Sequence, residues 1–503
     1  MLQHMLLGLH YVIHPDILFI IVFGVILGII VGAIPGLTAT MAVALAIPIT
    51  FGMEAMNGLG LLISIYVGGL TGGLISAILL RIPGTPASIA TTFDGYPMAQ
   101  KGEPGKALGY GVFASFLGGG FSYICLLTIA PAVANLALKL SYFEFFSIII
   151  CAMVMIADAS EKSLIKALIS GFLGMLIATV GVAPVDAAFR FTFGWDQLNA
   201  GFALPSMLIG LFAVSQVLND VENIGKKIPD FLVNYRNIIP KWGDLKESIG
   251  NLLRSSLIGT GIGLIPGVGA VTAGLVAYNQ AKNASEHPEK FGTGIKEGII
   301  ASEAANNAVS GGAMIPLLTL GIPGSPVAAL LLSGLIIKDL LPGPALFTSN
   351  PGIVYGFFFA FILANIAMFL LMLVFIKPFA MVLKIPKHLL IPPILAMCVI
   401  GAYVSNNRMI DVWVLFGFGI LGYLMEKGGY PLGPMVLGII LGPIAEVQIR
   451  RGLTASAGSF MPLITRPVSL IFLIIALFVL IYPFYQNWKK RKKIDAQEQK
   501  EEI

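Results

Sequence analysis

The sequence predicts an all-α polytopic membrane protein with about 10–14 membrane helices, some of them broken. Of its 503 residues, 57% are hydrophobic and only 11% are charged, whereas soluble domains carry about 25% charged residues. The chain also holds 58 glycines and 30 prolines, which are frequent where membrane helices pack closely or break. Apolar content therefore predicts the membrane class, and the Pro-Gly positions predict where helices stop.

The first membrane half is expected to span residues 1–218. Its first apolar run, Ile17–Ile34, ends at Pro35-Gly36, and a second run, Leu37–Phe51, follows. The Gly-rich run Leu59–Leu80 leads to a second break at 83–86, because proline removes a backbone donor and clashes with the preceding turn. Later spans in this half are expected near 108–135, 142–158, 164–183 and 203–218.

A hydrophilic loop at 219–255 is expected to connect the halves. Its charges are too mixed in sign for a nucleic-acid-binding patch. The second half, 256–488, should break at 266–267 and at 323–326, with later spans near 353–376, 388–405, 410–425, 430–446 and 467–486. Glu446 and Arg450 lie one helical turn apart and are expected to form a salt bridge. The tail at 489–503 begins with five consecutive basic residues, which predicts that the tail is cytoplasmic. The connecting loop is also expected to be cytoplasmic.

The four breaks form two matching pairs, which predicts an internal duplication. Leu80-Arg-Ile-Pro-Gly-Thr-Pro86 matches Leu320-Gly-Ile-Pro-Gly-Ser-Pro326. Gly28-Ile-Ile-Val-Gly-Ala-Ile-Pro-Gly36 matches Gly259-Thr-Gly-Ile-Gly-Leu-Ile-Pro-Gly267, in the same order and at similar spacing. The charge pattern leaves open whether the two repeats are parallel or inverted.

Broken helices with polar neighbours are candidate binding sites for an anion. Backbone freed in a bilayer must be satisfied by protein or by a water-filled cavity, and the N–H groups that begin the next helix attract anions. The alternative is a set of proline kinks satisfied by neighbouring helices, and the duplication favours a site. The candidate substrate-binding residues are Pro35, Gly36, Thr38, Thr40, Arg81, Pro83, Gly84, Thr85, Pro86, Ser88, Asn306, Asn307, Ser310, Pro323, Gly324, Ser325 and Pro326.

Oxygen ligands near the second pair of breaks are candidates for binding a cation such as Na⁺. Amide oxygens and backbone carbonyls can coordinate it, and the candidates are Gly267, Gly269, Thr272, Glu303 and Asn306. The asparagines could instead form interhelical hydrogen bonds. Glu303 could be a helix-end carboxylate at the surface, and Arg81 could mark the membrane edge instead of pairing with substrate. No other metal site and no cofactor besides the coupling ion is expected.

Catalytic motifs are absent from the sequence. It contains no GxxxxGK[ST] loop, no HExxH and no GxSxG, so neither an ATPase nor an intramembrane hydrolase is indicated. The chain is therefore not expected to be an enzyme.

Four segments resemble the large membrane subunit of the tripartite tricarboxylate transporters, the TctA family. They are Thr92–Lys106, Gly259–Ala270, Glu297–Pro326 and Gly442–Gly458. The resemblance implies a permease of the bacterial cytoplasmic membrane that works with a small TctB-like membrane subunit and a periplasmic TctC-like solute-binding protein. It further implies import of carboxylates such as citrate, coupled to Na⁺ or H⁺, by inverted repeats whose broken helices move as in elevator-type carriers.

Two departures from the family pattern leave the carboxylate and the coupling ion open. Arg81 stands where the family often has a small amide, and the segment Tyr66–Gly73 has fewer hydroxyl residues than is usual in the family. The alternative hypothesis is a non-transporting sensor or scaffold subunit that binds a periplasmic protein. A passive channel is disfavoured, because the polar residues cluster at the breaks instead of following a continuous stripe.

Overall fold

The computed structural model describes residues 2–158, 163–222 and 237–482. Within these ranges the chain is almost wholly helical, and eight helices are long and apolar enough to cross a membrane. Five shorter apolar helices accompany them. The prediction of an all-α polytopic membrane protein is therefore confirmed. The basic tail and the middle of the connecting loop lie outside the described residues.

Two compact units make up the chain. The first comprises Met1–Leu138 and Phe202–Gly428, and the second comprises Lys139–Gly201 and Gly429–Ile503. Both predicted halves contribute to each unit, and the division into halves stays a prediction. The helices of the first unit, numbered along the chain, are α1 (Leu2–Ile13), α2 (Pro15–Ala33), α3 (Ala39–Thr50), α4 (Ala55–Leu80), α5 (Thr91–Gln100), α6 (Pro104–Ala137), α9 (Leu204–Ile209), α10 (Ser215–Val221), α11 (Trp242–Glu247), α12 (Ile249–Leu264), α13 (Gly269–Asn283), α14 (Lys296–Leu320), α15 (Pro326–Ile337), α16 (Leu346–Ser349), α17 (Pro351–Met381), α18 (Lys387–Asn406) and α19 (Met409–Lys427). A π-helical stretch, Gly210–Val214, joins α9 to α10.

The second unit combines helices with one small strand pair. Its elements are α7 (Tyr142–Asp158), α8 (Leu164–Ile177), β1 (Gly181–Val182), β2 (Phe189–Arg190), α20 (Leu432–Ala455), α21 (Pro462–Thr465) and α22 (Pro467–Tyr482). Strands β1 and β2 pair antiparallel, and Arg190 donates two hydrogen bonds to Glu446 at 2.9 and 3.1 Å. Arg450 also contacts Glu446 at 2.9 Å, so the predicted salt bridge is confirmed.

The helices next to the Pro-Gly pairs end at the breaks that these pairs predict. Helix α2 ends at Ala33 and α12 at Leu264, each just before its Pro-Gly pair. The glycines of these pairs, Gly36 and Gly267, have φ of 96° and 84°, a left-handed conformation that glycine adopts without a steric penalty. The matching local conformation is what a duplication would produce, although the duplication itself stays a prediction.

A helical hairpin, α2 and α3, packs against α4. A Cβ on Gly32 would lie 2.2 Å from the carbonyl oxygen of Gly69, so the two helices touch through backbone. Helix α3 then runs back along α4, because Ala39 lies beside Gly69 and Thr50 lies beside Gly58. The Pro-Gly tip of this hairpin therefore lies beside the middle of α4.

A second hairpin, α12 and α13, packs in the same way against α14. A Cβ on Gly263 would lie 2.9 Å from the amide nitrogen of Ala313, and α13 also packs along α14. At the tip, the Gly267 N–H donates a hydrogen bond to the Gly324 carbonyl oxygen at 2.9 Å. The two breaks of the second half are thus joined directly.

Replacing Gly259 by alanine is expected to destabilise the α12–α14 contact. The new Cβ would lie 2.2 Å from the Ala305 carbonyl oxygen, and such overpacking typically costs about 1–3 kcal/mol. The matched control is Gly261→Ala in the same helix, where a Cβ meets nothing within 4 Å. We expect the first variant to lower the melting temperature of the purified protein and the second to leave it unchanged. Equal melting temperatures for the two variants would contradict this close helix contact.

Candidate functional site

Two almost completely buried helices, α4 and α14, touch through a direct hydrogen bond. The Thr71 hydroxyl donates to the Asn307 side-chain oxygen at 2.8 Å. Leu74, further along α4, and Glu303, further back along α14, both pack against Gly111 of α6. The two helices therefore run antiparallel where they meet, which is the relation that inverted repeats would have.

The Glu303 carboxylate lies at this contact and is completely buried. The Thr91 hydroxyl of α5 donates to one carboxylate oxygen, and the Ser115 hydroxyl of α6 donates to the other at 3.1 Å. The Asn307 amide donates to the Ser115 oxygen at 2.9 Å. The interpretation of Glu303 as a surface carboxylate is therefore wrong: α5 and α6 cover α14 at this turn, and sequence alone does not show that packing.

Only neutral groups hydrogen-bond to Glu303 within the described ranges. None of the ion pairs formed there includes it. An isolated charge in an apolar interior is strongly disfavoured, so buried carboxylates bind a proton or pair with a cation. Glu303 can therefore take up either of these at a site shielded from water.

The Asn306 amide is the second unusual group of the site. It is completely buried, and neither its oxygen nor its nitrogen has a hydrogen-bond partner of ordinary geometry among the described residues. Asn306 follows Ser302 and Glu303 by about one turn, so the three side chains lie on the same face of α14. The amide is close enough to the Glu303 carboxylate to interact with it. An unpaired buried amide costs about 1–3 kcal/mol, which a bound ligand would recover.

The second break of the first half, residues 83–86, folds back onto the middle of α4. The Gly84 N–H donates to the Gly73 carbonyl oxygen at 3.3 Å, and a Cβ on Gly84 would lie 2.2 Å from the Gly32 carbonyl oxygen. The hydroxyls of Thr85 and Ser88 lie 3.3 Å apart and pack directly over Gly73. Both breaks of the first half thus meet beside α4.

Two predicted hydroxyls cap helices. The Ser325 oxygen accepts a hydrogen bond from the Ala328 N–H at 3.2 Å, and the Thr38 oxygen accepts one from the Met41 N–H at 3.1 Å. Ser325 also lies beside the buried Tyr66 hydroxyl of α4. Since N-cap contacts stabilise the first turn of a helix, both side chains have a structural role at the breaks whatever else they bind.

Other predicted residues lie away from the Glu303 contact. Arg81 is exposed at the left-handed end of α4, with its guanidinium 5.9 Å from the centre of the Tyr96 ring. The candidate cation ligands Gly267, Gly269 and Thr272 are partly buried at the α12–α13 break, whereas the hydrogen bonds to Glu303 come from α5, α6 and α14. Ser310 donates to the Asn307 backbone carbonyl, and Thr40 is partly buried on α3.

Sequence reasoning missed the residues that complete the site. Thr71, Thr91 and Ser115 come from three other helices and surround Glu303 and Asn307. Hydroxyl side chains are common in buried membrane helices, so nothing in their local sequence distinguishes them. Only their hydrogen bonds to α14 identify them.

Comparison with known proteins places this arrangement in a family. The family model described as the tripartite tricarboxylate transporter TctA family matches residues 18–437, which include α4, α14 and all four breaks. The chain belongs to the TctA family. The resemblance seen in the sequence is thereby confirmed, and the polar cluster belongs to a membrane protein of a transporter family.

Two relatives of this TctA-family chain come from Agrobacterium vitis. One is described as an uncharacterized 52.8 kDa protein in the TAR-I ttuC' 3' region and is 34% identical over 460 residues, covering 91% of each chain. The other, described as an uncharacterized protein in the TAR-II ttuC' 3' region, is 37% identical over 211 residues, covering 42% of this chain and 87% of its own. No solved structure matches the chain.

Proposed function

We propose that the chain is the large permease subunit of a secondary transporter that imports tricarboxylates or dicarboxylates, such as citrate, across the bacterial cytoplasmic membrane. A small TctB-like membrane subunit and a periplasmic TctC-like binding protein would complete the transporter. One observation carries this proposal, within a chain of the TctA family. The buried Asn306 amide, which makes no hydrogen bond of ordinary geometry among the described residues, lies beside the buried Glu303 carboxylate, which has no counter-ion among them.

Substrate binding is proposed to use neutral donors at the breaks. Carboxylates accept hydrogen bonds from amide N–H groups, hydroxyls and the N–H groups at helix starts. The Asn306 amide and the hydroxyls of Thr85 and Ser88 supply such donors on buried elements. Discontinuous helices are also where secondary transporters commonly bind substrate.

Coupling to an ion gradient is proposed to use Glu303. A proton on the carboxylate, or Na⁺ held by its oxygens with the Asn306 amide oxygen, would neutralise the buried charge. Loss of the ion on the cytoplasmic side would restore that charge and disfavour a nearby substrate carboxylate. The ion gradient would then drive uptake. The broken helices would move together across the membrane and carry the bound substrate with them.

Reconstitution tests this function directly. Proteoliposomes would hold the chain and its small partner, with the binding protein added outside, and uptake of labelled citrate and other carboxylates would be measured. We expect uptake that requires the binding protein and a Na⁺ or a pH gradient, and imposing each gradient alone identifies the ion. Ligand-dependent conformational change without flux of any carboxylate would instead favour a sensor or scaffold subunit.

A further inference from the structure

An ion pair lies directly against the tip of the first hairpin. The Lys387 ammonium is 2.6 Å from a carboxylate oxygen of Asp220. A Cβ on Gly36 would lie 2.6 Å from that ammonium nitrogen and 2.8 Å from the same carboxylate oxygen. The pair therefore touches backbone at the Pro35-Gly36 break, and a side chain at Gly36 would displace it.

Local helix electrostatics do not favour either charge. Lys387 is the first residue of α18, and Asp220 lies in the last turn of α10. Helix starts favour anions and helix ends favour cations, so both charges are at the disfavoured ends of their helices. Among the described residues, the pair is held by mutual attraction and by a long contact of 3.5 Å from the Gln216 amide to Asp220.

The two partners differ in their access to solvent. The Lys387 side chain is 29% exposed, whereas the Asp220 side chain is 7% exposed. Both residues lie at the ends of candidate membrane spans, Leu204–Val221 and Lys387–Asn406. The ammonium is therefore open to an approaching anion, whereas the aspartate is covered.

We propose that Lys387 binds a carboxylate group of the substrate at the Pro35-Gly36 tip, and that Asp220 occupies this position as an internal carboxylate until the substrate replaces it. This inference rests on the carboxylate transport proposed above. The tip adjoins the rest of the site, because Gly32, one turn before Gly36, contacts Gly84 of the other break. Lys387 thus supplies a positive charge that the neutral hydroxyls of Thr85 and Ser88, which follow Gly84, lack.

Kinetics of citrate uptake in proteoliposomes test the assignment. We expect Lys387→Gln to raise KM about tenfold or more, because a hydrogen bond to a charged group is lost, while kcat changes little. Asp220→Asn is expected to leave KM unchanged or to lower it, because the lysine loses a competitor. Lys387→Arg should retain most of the affinity, since it keeps the charge.

The matched control is the partly exposed ion pair between Lys427 and Glu222 in the same unit. Lys427→Gln should leave KM and kcat unchanged.

A purely structural ion pair would give a different pattern. In that case Lys387→Gln and Asp220→Asn would both lower the melting temperature and the uptake rate, and the double variant would recover both; this pattern overturns the proposal. An unchanged KM in Lys387→Gln, with normal wild-type uptake, overturns it as well while leaving the transport function intact. If purified wild-type protein neither transports nor binds any carboxylate, the transport function itself fails and the role of Lys387 fails with it.

Discussion

Replacing Asn306 by alanine is expected to weaken carboxylate binding strongly without weakening the fold. The Asn306 amide makes no hydrogen bond of ordinary geometry among the described residues, although it lies close to the Glu303 carboxylate, so alanine removes only this weak contact. A hydrogen bond to a charged ligand contributes about 1.5–3 kcal/mol, which corresponds to an affinity loss of about tenfold to a hundredfold. The measurements are the KM for uptake and the melting temperature of the purified protein without ligand.

Asn307→Ala is the matched comparison, because the neighbouring amide is fully engaged. Its loss removes the acceptor for Thr71 and the donor to Ser115, and each unsatisfied buried group costs about 1–3 kcal/mol. We expect this variant to melt at a lower temperature as well as to lose uptake, and the double alanine variant to abolish uptake. If Asn306→Ala also lowers the melting temperature as far, Asn306 supports the fold and not the ligand.

Replacing Glu303 by glutamine is expected to abolish accumulation driven by an ion gradient. The amide keeps the size of the side chain: its oxygen can still accept from one of the two hydroxyls, and its NH2 group can donate to the other. It can neither release a proton nor supply charge to a cation. One elementary charge moving through about 100 mV supplies about 2.3 kcal/mol, or about fiftyfold in accumulation. The Glu303→Gln variant should lose this roughly fiftyfold accumulation for each charge that the wild type couples to uptake.

Exchange separates coupling from binding in this variant. Labelled citrate outside should still exchange for unlabelled citrate inside, because exchange needs no net ion movement. Accumulation at the wild-type level by Glu303→Gln would remove Glu303 from the coupling step. Loss of exchange together with a lower melting temperature would assign the carboxylate to the fold instead.

The breaks were predictable because their causes are local. Proline cannot donate a backbone hydrogen bond and glycine adopts left-handed conformations, so Pro35-Gly36 and Pro323 to Pro326 mark helix ends wherever they occur. The paired motifs also singled out Asn306 and Asn307, since amides beside a break are uncommon in apolar helices. The membrane class followed from composition alone.

The partners of these residues were not predictable, because they depend on packing between distant segments. Thr71 and Ser115 reach Asn307 from two other helices, and their neighbours in sequence give no sign of it. Glu303 was open to interpretation as a surface group, since one charged residue near a helix start is usually solvated. Asp220 and Lys387 meet at Gly36 only through the ends of α10 and α18, which no local pattern connects.

Equilibrium binding of labelled citrate to the purified protein, wild type against Asn306→Ala, tests the central claim most directly. Binding requires neither the partner subunits nor a gradient, so it isolates the site between the breaks. We expect saturable binding to the wild type that other carboxylates compete with, and an affinity reduced about tenfold or more in Asn306→Ala. Equal affinities in two equally stable proteins would place the carboxylate site elsewhere in the chain.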